Sequence, residues 1–400
     1  MAADDGLSAP TRGYGDHNNT HESSPPEYVF DSHERRRAGR TVSDRPVDDG
    51  VGMTPGAEGA GTELEAEIDL GADADSLPLS IVVIAENEEN RIEDCLDSVI
   101  AAARRAVPAF EVILVDSAST DRTVDLASEY PITVLRIPEG ETISCGAGRY
   151  VGGDAARGDL VLHVDGDMKL TETWLSEAVE ALGADPQLAA VEGWLNESEA
   201  TEPTPVEKVG GVMCYDADAL AAVGGFDPFL RGYEDVDVGY RLSAAGYRLT
   251  RLPSVSAVHP TSEGALTEPV RRWRQGYLFA PGQTIRKSAK RPQLLRRLLG
   301  RQRYEGALLG WLSLGIASAR SRRLFGGWVV ASLLGFGALA RRRGVRGALQ
   351  FGLAKLLGLI GLVYGLTLHT DDPSAYPLTA VRIVQAGERF EGTAATGDAA

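Results

Sequence analysis

The chain has 400 residues, 57 acidic against 40 basic side chains, a net charge of -17 and 43% hydrophobic content. That apolar content excludes wholesale disorder, and three widely spaced cysteines (Cys95, Cys145, Cys214) exclude a disulfide or thiolate-metal framework. Only 5 of the cations are lysine, and an acid-rich, lysine-poor balance of this kind keeps a surface solvated in high salt.

Residues 1–76 hold 17 acidic and 6 basic side chains with no sustained apolar period. Ordering them would go uncompensated, so they read as a disordered acidic tail without a secretory signal pattern. Order begins at Leu77. Leu79–Ile84, Phe110–Val115, Ile132–Leu135 and Leu160–Val164 are short apolar runs of strand character. Helical spacing separates the first two (Ile92, Cys95, Leu96, Val99), Thr123–Tyr130 lies between the second and third, and a small-residue helix follows. This alternation predicts an α/β domain over 77–265 built on a largely parallel, Rossmann-like sheet. On such a sheet ligands bind beyond the carboxyl ends of the strands.

Three clusters stand at those ends. Val164-Asp165-Gly166-Asp167 closes the fourth strand, and carboxylates at i and i+2 of an extended segment face one way. Their mutual repulsion favours a cation, Mg or Mn, shared with substrate phosphates. Asp116 falls at the exit of the second strand, where it can accept hydrogen bonds from a base or ribose; Ser119 and Asp121 read better as caps of the next helix. Asn87 and Glu88 after the first strand have the same double reading. Finally, a Gly-rich loop from Gly224 delivers Glu234, Asp235 and Asp237 to a helix start. The helix dipole accounts for one acid there but not three, and a carboxylate so placed can act as a general base.

Together these residues resemble the inverting family 2 glycosyltransferases of GT-A fold, from about Leu77 to Leu266. Val82–Glu89 is similar to the family's first-strand motif, with Ile84 and Glu86 where Pro and Tyr are usual. Asp116 corresponds to the first Asp of Val-Asp-Asp-Gly-Ser-x-Asp, Ser117 and Ala118 replacing the next two residues. Gly146-Ala147-Gly148-Arg149 resembles the Ala-Arg-Asn segment ahead of the metal strand, and Gly225-Phe226-Asp227 with Glu234-Asp235 resembles the acceptor loop. The resemblance implies that Ala85, Asn87, Glu88, Asp116, Arg149 and Asp165 contact a nucleotide sugar. It implies a metal held by Asp165, Asp167 and His259, Asp235 (with Glu234) as catalytic base, and Arg149 and the metal stabilising the departing nucleoside diphosphate. A sugar nucleotidyltransferase would carry a Gly-rich basic loop after the first strand, and Ala85-Glu86-Asn87-Glu88 is acidic instead. A degenerate membrane-bound scaffold is the non-enzymatic alternative, against which the intact Asp165, Asp167 and Asp235 speak.

After residue 265 the charge inverts. Residues 266–350 hold 18 basic and 2 acidic side chains, a block suited to an anionic partner. Its aromatics form no stacking platform, which disfavours nucleic acid. Arg271-Arg272-Trp273 partly resembles the Gln-x-x-Arg-Trp signature of processive synthases without its Gln, so polymer synthesis is discounted, and Arg272 and Trp273 are assigned to the acceptor or membrane side. Three apolar segments follow, Gly306–Ser318, Leu324–Ala340 and Gly347–Leu368. A bilayer span needs about 20 apolar residues, so the third fits, the second is marginal and the first reads as interfacial or re-entrant. Arg320–Arg323 and Arg341–Arg343 flank the middle segment equally, leaving its orientation open. The expected organisation is a tail (1–76), a catalytic domain (77–265), a basic interfacial region (266–323), hydrophobic membrane helices (324–368) and a C-terminal tail (369–400). The expected activity is transfer of one sugar from a nucleotide-diphosphate donor to a polyprenyl (dolichol)-linked or other surface-glycan acceptor. It would take place at the cytoplasmic face of the cell membrane, for protein glycosylation or glycan assembly, with Mg or Mn as cofactor.

Overall fold

The computed structural model describes residues 77–259 and 268–393. The acidic tail expected over 1–76 lies outside them. In chain order the elements are β1 (Leu79–Ala85), α1 (Ile92–Ala106), β2 (Ala109–Ser117), α2 (Thr123–Ala127), β3 (Thr133–Ile137), α3 (Cys145–Ala155), β4 (Leu160–Asp165), β5 (Lys169–Leu170), α4 (Trp174–Ala184) and β6 (Leu188–Leu195). They continue with β7 (Thr204–Pro205), β8 (Met213–Asp216), α5 (Ala217–Ala222), α6 (Glu234–Ala244), β9 (Arg248–Val258), α7 (Glu268–Arg274), α8 (Ala280–Lys287) and α9 (Pro292–Arg301). Last come α10 (Arg303–Ser318), α11 (Arg322–Gly365), β10 (Arg382–Gln385) and β11 (Phe390–Glu391).

The strands form one sheet in the order β10-β3-β2-β1-β4-β8-β6-β9-β5, with β11 on β2 and β7 on β9. β3, β2, β1 and β4 run parallel, as the strand–helix alternation requires. Beyond β4 the sheet is mixed rather than parallel: β8 pairs antiparallel with both β4 and β6, and β6 pairs parallel with β9. Successive residues of β1 feed opposite faces. Leu79, Ile81 and Val83 join α1 and α4 in one core, while Val82 and Ile84 join α3 in the other. α1 buries Ile92, Cys95, Leu96 and Val99, the helical stripe read from sequence. α3 lies tight on β1, because a Cβ at Gly152 would come within 2.2 Å of Val82 Cγ1. That closeness carries Arg149, one turn earlier on α3, to the strand ends.

The C-terminal region departs from expectation in two ways. The second and third apolar segments form one long helix, α11, broken by non-helical angles at Gly344 (φ 72°, ψ 161°), which a glycine adopts without steric cost. Residues 369–400 are not simply a tail. β10 extends the sheet antiparallel to β3, Phe390 of β11 stacks on Phe110 at 5.0 Å, and Tyr376, Leu378 and Val381 fill the α3-side core. The catalytic domain therefore draws on chain from both sides of the apolar helices.

Candidate active site

Strand register brings the first acids together. Ala85 pairs with Asp116 across β1 and β2, and Ile84 pairs with Asp165 across β1 and β4, so the two carboxylates stand at the carboxyl ends of the parallel strands on either side of β1. Asp116 is fully buried. Its Oδ2 accepts from Ser119 N at 3.1 Å and lies 3.4 Å from Arg136 Nε, while its buried Oδ1 has no partner. Burial raises its pKa against the lowering effect of Ser119 and Arg136. A buried acceptor of this kind has room for one further hydrogen bond from an N–H or O–H.

The loops after β1 and β2 lock together. Asn87 (φ 58°) and Ala118 (φ 56°) are both left-handed. Asn87 N donates to Ser119 Oγ at 2.8 Å, and Asn87 Oδ1 accepts from Thr120 N at 2.9 Å. Asn87 is thus a loop clasp rather than a cap of α1. Glu88 is engaged by Arg91 at 2.6 Å, and Asp121 Oδ1 accepts from Thr123 N at 3.0 Å at the start of α2.

Arg149 is the hub of the site and is itself buried. Nη2 contacts Asp165 Oδ1 at 2.6 Å and Nη1 contacts Glu234 Oε1 at 2.5 Å. With both arms engaged, the guanidinium orients two carboxylates rather than presenting a free cation to a diphosphate. Burial raises the Glu234 pKa, opposed by Arg149 and aided by the neighbouring Asp235. Beneath Arg149, His163 packs edge-on to Phe226 at 4.9 Å, and burial followed by Arg149 depresses its pKa, leaving it a neutral packing group.

Glu234 and Asp235 begin α6 from Tyr233, a left-handed residue (φ 61°) after Gly232. Such strain concentrates where side chains must be aimed. Asp235 Oδ1 accepts from Val236 N at 2.7 Å and Oδ2 from Lys208 Nζ at 2.8 Å. Asp237 and Asp227 turn away into a separate ion network. Lys287 Nζ lies 2.8 Å from Asp237 and 2.7 Å from Asp227, and Arg241 joins Asp237 to the carbonyls of Val223 and Gly225. These two acids brace the loop that the site uses.

Arg149, Asp165, Tyr233, Glu234 and Asp235 line a cavity of about 230 Å³ with Cys145, Gly210, Gly211 and Tyr277. Asp167 and His259 meet beside it, Nε2 lying 3.3 Å from Asp167 Oδ2, while His259 N donates to Asn196 Oδ1 at 2.8 Å. Among the described residues no three His, Cys, Asp or Glu side chains converge as a metal cluster. The pair Asp167 and His259 supplies one carboxylate and one imidazole, a donor set that suits Mn or Mg completed by phosphate oxygens. Asp165, expected with them, is turned to Arg149 instead.

Trp273 packs edge-on to Phe279 at 5.0 Å and Phe279 to Tyr364 at 4.9 Å, a stack joining α7, α8 and α11. Arg272 is exposed on α7. The residue this region sends into the cavity is Tyr277. Lys208 and Tyr277 carry no signal in the sequence, because each is one polar residue outside any motif. Only the fold brings them to the acids.

A mixed α/β sheet with acids at its parallel strand ends and an acid-bearing loop opposite defines a GT-A nucleotide-sugar transferase fold. A mannosyltransferase structure from Pyrobaculum calidifontis, in complex with GDP-Man and Mn2+, has this fold; it superposes with a TM-score of 0.53 at 21% identity, over 72% of this chain and 88% of that one. Residues 80–221 match the family model Glycosyl transferase family 2, and the chain carries a domain of that family. Curated relatives include the dolichyl-phosphate beta-glucosyltransferase ALG5A of Trichomonas vaginalis, 26% identical over 42% of this chain and 54% of the relative. They also include the glycosyltransferase AglE of Haloferax volcanii, 24% identical over 46% and 66%, and a dodecaprenyl-phosphate galacturonate synthase of Rhizobium johnstonii, 38% identical over 24% and 29%. The chain thus spans about half the length of the first of these relatives. The family match ends before Glu234, so the loop that carries Glu234 and Asp235 is read from its own geometry.

Proposed function

We propose that this protein is a membrane-attached inverting glycosyltransferase, moving one sugar from a nucleoside diphosphate sugar to a polyprenyl phosphate acceptor at the cytoplasmic face. The observation that carries it is the convergence on one cavity wall of Asp165, at a parallel strand end, and Asp235, at the start of α6. Donor and acceptor sides of a displacement reaction are then faced by carboxylates from different elements. Relatives named for dolichyl- and dodecaprenyl-phosphate chemistry support the acceptor class.

Asp116 accepts from the nucleoside through its unpaired Oδ1. Asp167 and His259 would hold a divalent cation, which would supply positive charge to the departing diphosphate. Arg149 keeps Asp165 and Glu234 in place. Asp235 faces the acceptor. As the acceptor's oxygen bonds to the anomeric carbon, the diphosphate leaves with the electron pair of the broken C–O bond, and Asp235 takes the proton of a hydroxyl acceptor. A phosphate acceptor is already anionic and needs that transfer less.

The test is a donor screen with Mn or Mg against extracted membrane lipids. Sugar should pass to the lipid fraction with wild type and not with Asp167→Ala, and Asp235→Asn should lower transfer to a hydroxyl acceptor by about 10²- to 10⁴-fold. Equal transfer by wild type and Asp167→Ala would sink the metal-assisted reading.

A further inference from the structure

Both ends of the apolar region are fastened to the same sheet. β9 releases the chain at Val258, and β10 takes it back at Arg382 beside β3. One sheet cannot stand on both sides of a bilayer, so the chain between them crosses an even number of times. One span or three is excluded by connectivity.

The packing then shows which helices are available to cross. The Val345–Gly365 half of α11 lies against protein. Gly361 and Gly365 meet the backbones of Leu278 and Phe279 so closely that a Cβ would clash, and Lys355 pairs with Glu305 of α10 at 2.8 Å. Its other face carries exposed Leu349, Leu353, Leu356, Ile360 and Val363, spaced by four, three, four and three. One apolar stripe opposite a packed face is the pattern of a helix lying in the membrane surface.

α10 and the Arg322–Arg343 half of α11 form an antiparallel hairpin. Trp311 Nε1 donates to Ser332 Oγ at 3.0 Å, Trp328 Nε1 donates to Trp311 O at 3.0 Å, and Gly315 abuts Trp328. Around this seam Leu314, Ile316, Leu324, Val330, Leu333 and Leu334 are all more than half exposed. Helices apolar all round belong in hydrocarbon. The seam sets the register. With residue 311 beside 332 and 315 beside 328, Arg301 and Arg303 fall level with Arg341–Arg343 at the base, and Arg320, Arg322 and Arg323 form the tip. Three arginines are costly at the bilayer centre, which disfavours half insertion. α10 is 16 residues, about 24 Å long, and its flanking arginines can snorkel to both headgroup layers of a locally thinned bilayer.

We propose that Arg303–Arg343 is a two-pass hairpin, its Arg320–Arg323 turn on the far side of the membrane, while Val345–Gly365 lies in the interface on the catalytic side. The proposal rests on the membrane-attached reading above. Folding also breaks the tie left by the sequence. Arg301, Arg303 and Arg346 join Arg341–Arg343 at the base, outnumbering the tip, so the positive-inside rule puts the catalytic side in the cytoplasm.

The test uses the full chain in sealed inverted membrane vesicles with a membrane-impermeant maleimide, labelling being read peptide by peptide so that the native cysteines stay. Glu180→Cys on α4 and Glu388→Cys beyond β10 should label directly. Ala319→Cys, and Arg320→Cys as a second tip position, should label only after detergent opens the vesicles. Direct labelling of both tip positions would overturn the crossing, and so would protection of Glu388→Cys. An alkaline carbonate wash comes first: release of the protein from membranes at that step removes the membrane reading itself and the hairpin proposal with it.

Discussion

Lys208 Nζ lies 2.8 Å from Asp235 Oδ2, and both side chains are partly exposed. Val236 N holds the other carboxylate oxygen, so the two contacts together fix the plane of the carboxylate. Removing the ammonium frees one oxygen to rotate. Lys208→Met is expected to lower kcat about tenfold or more with the donor KM unchanged, because misplacement of a reacting group costs rate before it costs binding. Lys208→Arg should recover most of the loss. An unchanged kcat in Lys208→Met would mean that the ion pair does not orient the base.

Asp237 provides a test by pH. Burial alone would raise its pKa, but Arg241 and Lys287 overcome that and hold it below the ordinary carboxylate value of 3.8. A depressed folded pKa contributes stability above the unfolded value and loses it as pH falls through the folded one. Asp237→Asn, which strips a partner from two buried or half-buried cations, should therefore cost about 3–5 kcal/mol near neutrality. The gap to wild type should narrow below about pH 4. Denaturation midpoints across that range measure it, and a gap constant with pH would contradict the ionic account.

Ala118 occupies a left-handed conformation (φ 56°) between the buried Asp116 and the Ser119 that binds it. A Cβ there costs roughly 1 kcal/mol. Ala118→Gly should raise stability by about 0.5 kcal/mol, the relief of strain exceeding the added freedom of the unfolded chain, and a lower melting temperature would contradict it. Thermal unfolding in detergent reads the sign.

Phe390 and Phe110 stack at 5.0 Å with planes 8° apart, joining the last strand to β2. Phe390→Ala should cost about 3 kcal/mol, a core aromatic truncation. A melting temperature equal to wild type would mean that the returning strand does not support the catalytic domain.

Much of the catalytic half was legible in advance. β1 to β4 are runs of apolar residues short enough to be strands and too apolar to be loops, and the helices between them carry a 3.6-residue stripe. Their alternation implied parallel pairing and therefore placed Asp116 and Asp165 at one edge. Antiparallel β8 was not legible, because a four-residue strand carries little periodicity. Arg149 was recognisable as a site residue, but not its engagement with both Asp165 and Glu234, since no sequence rule pairs residues 16 and 85 apart.

By itself, then, the sequence determined the parallel core, the acids at its edge, the acidic start of α6 and the change to a basic, apolar C-terminal region, because each is written in local periodicity or composition. The tertiary structure alone decided that Arg149 ties two carboxylates together, that Lys208 meets Asp235 and Tyr277 reaches the cavity, and that β10 and β11 return to the sheet. These are contacts between residues far apart in the chain, and only the packed fold gives them a distance. The proposed orientation of the apolar helices rests on the same kind of contact, because charge counted along the chain does not say which arginines the hairpin gathers at its base.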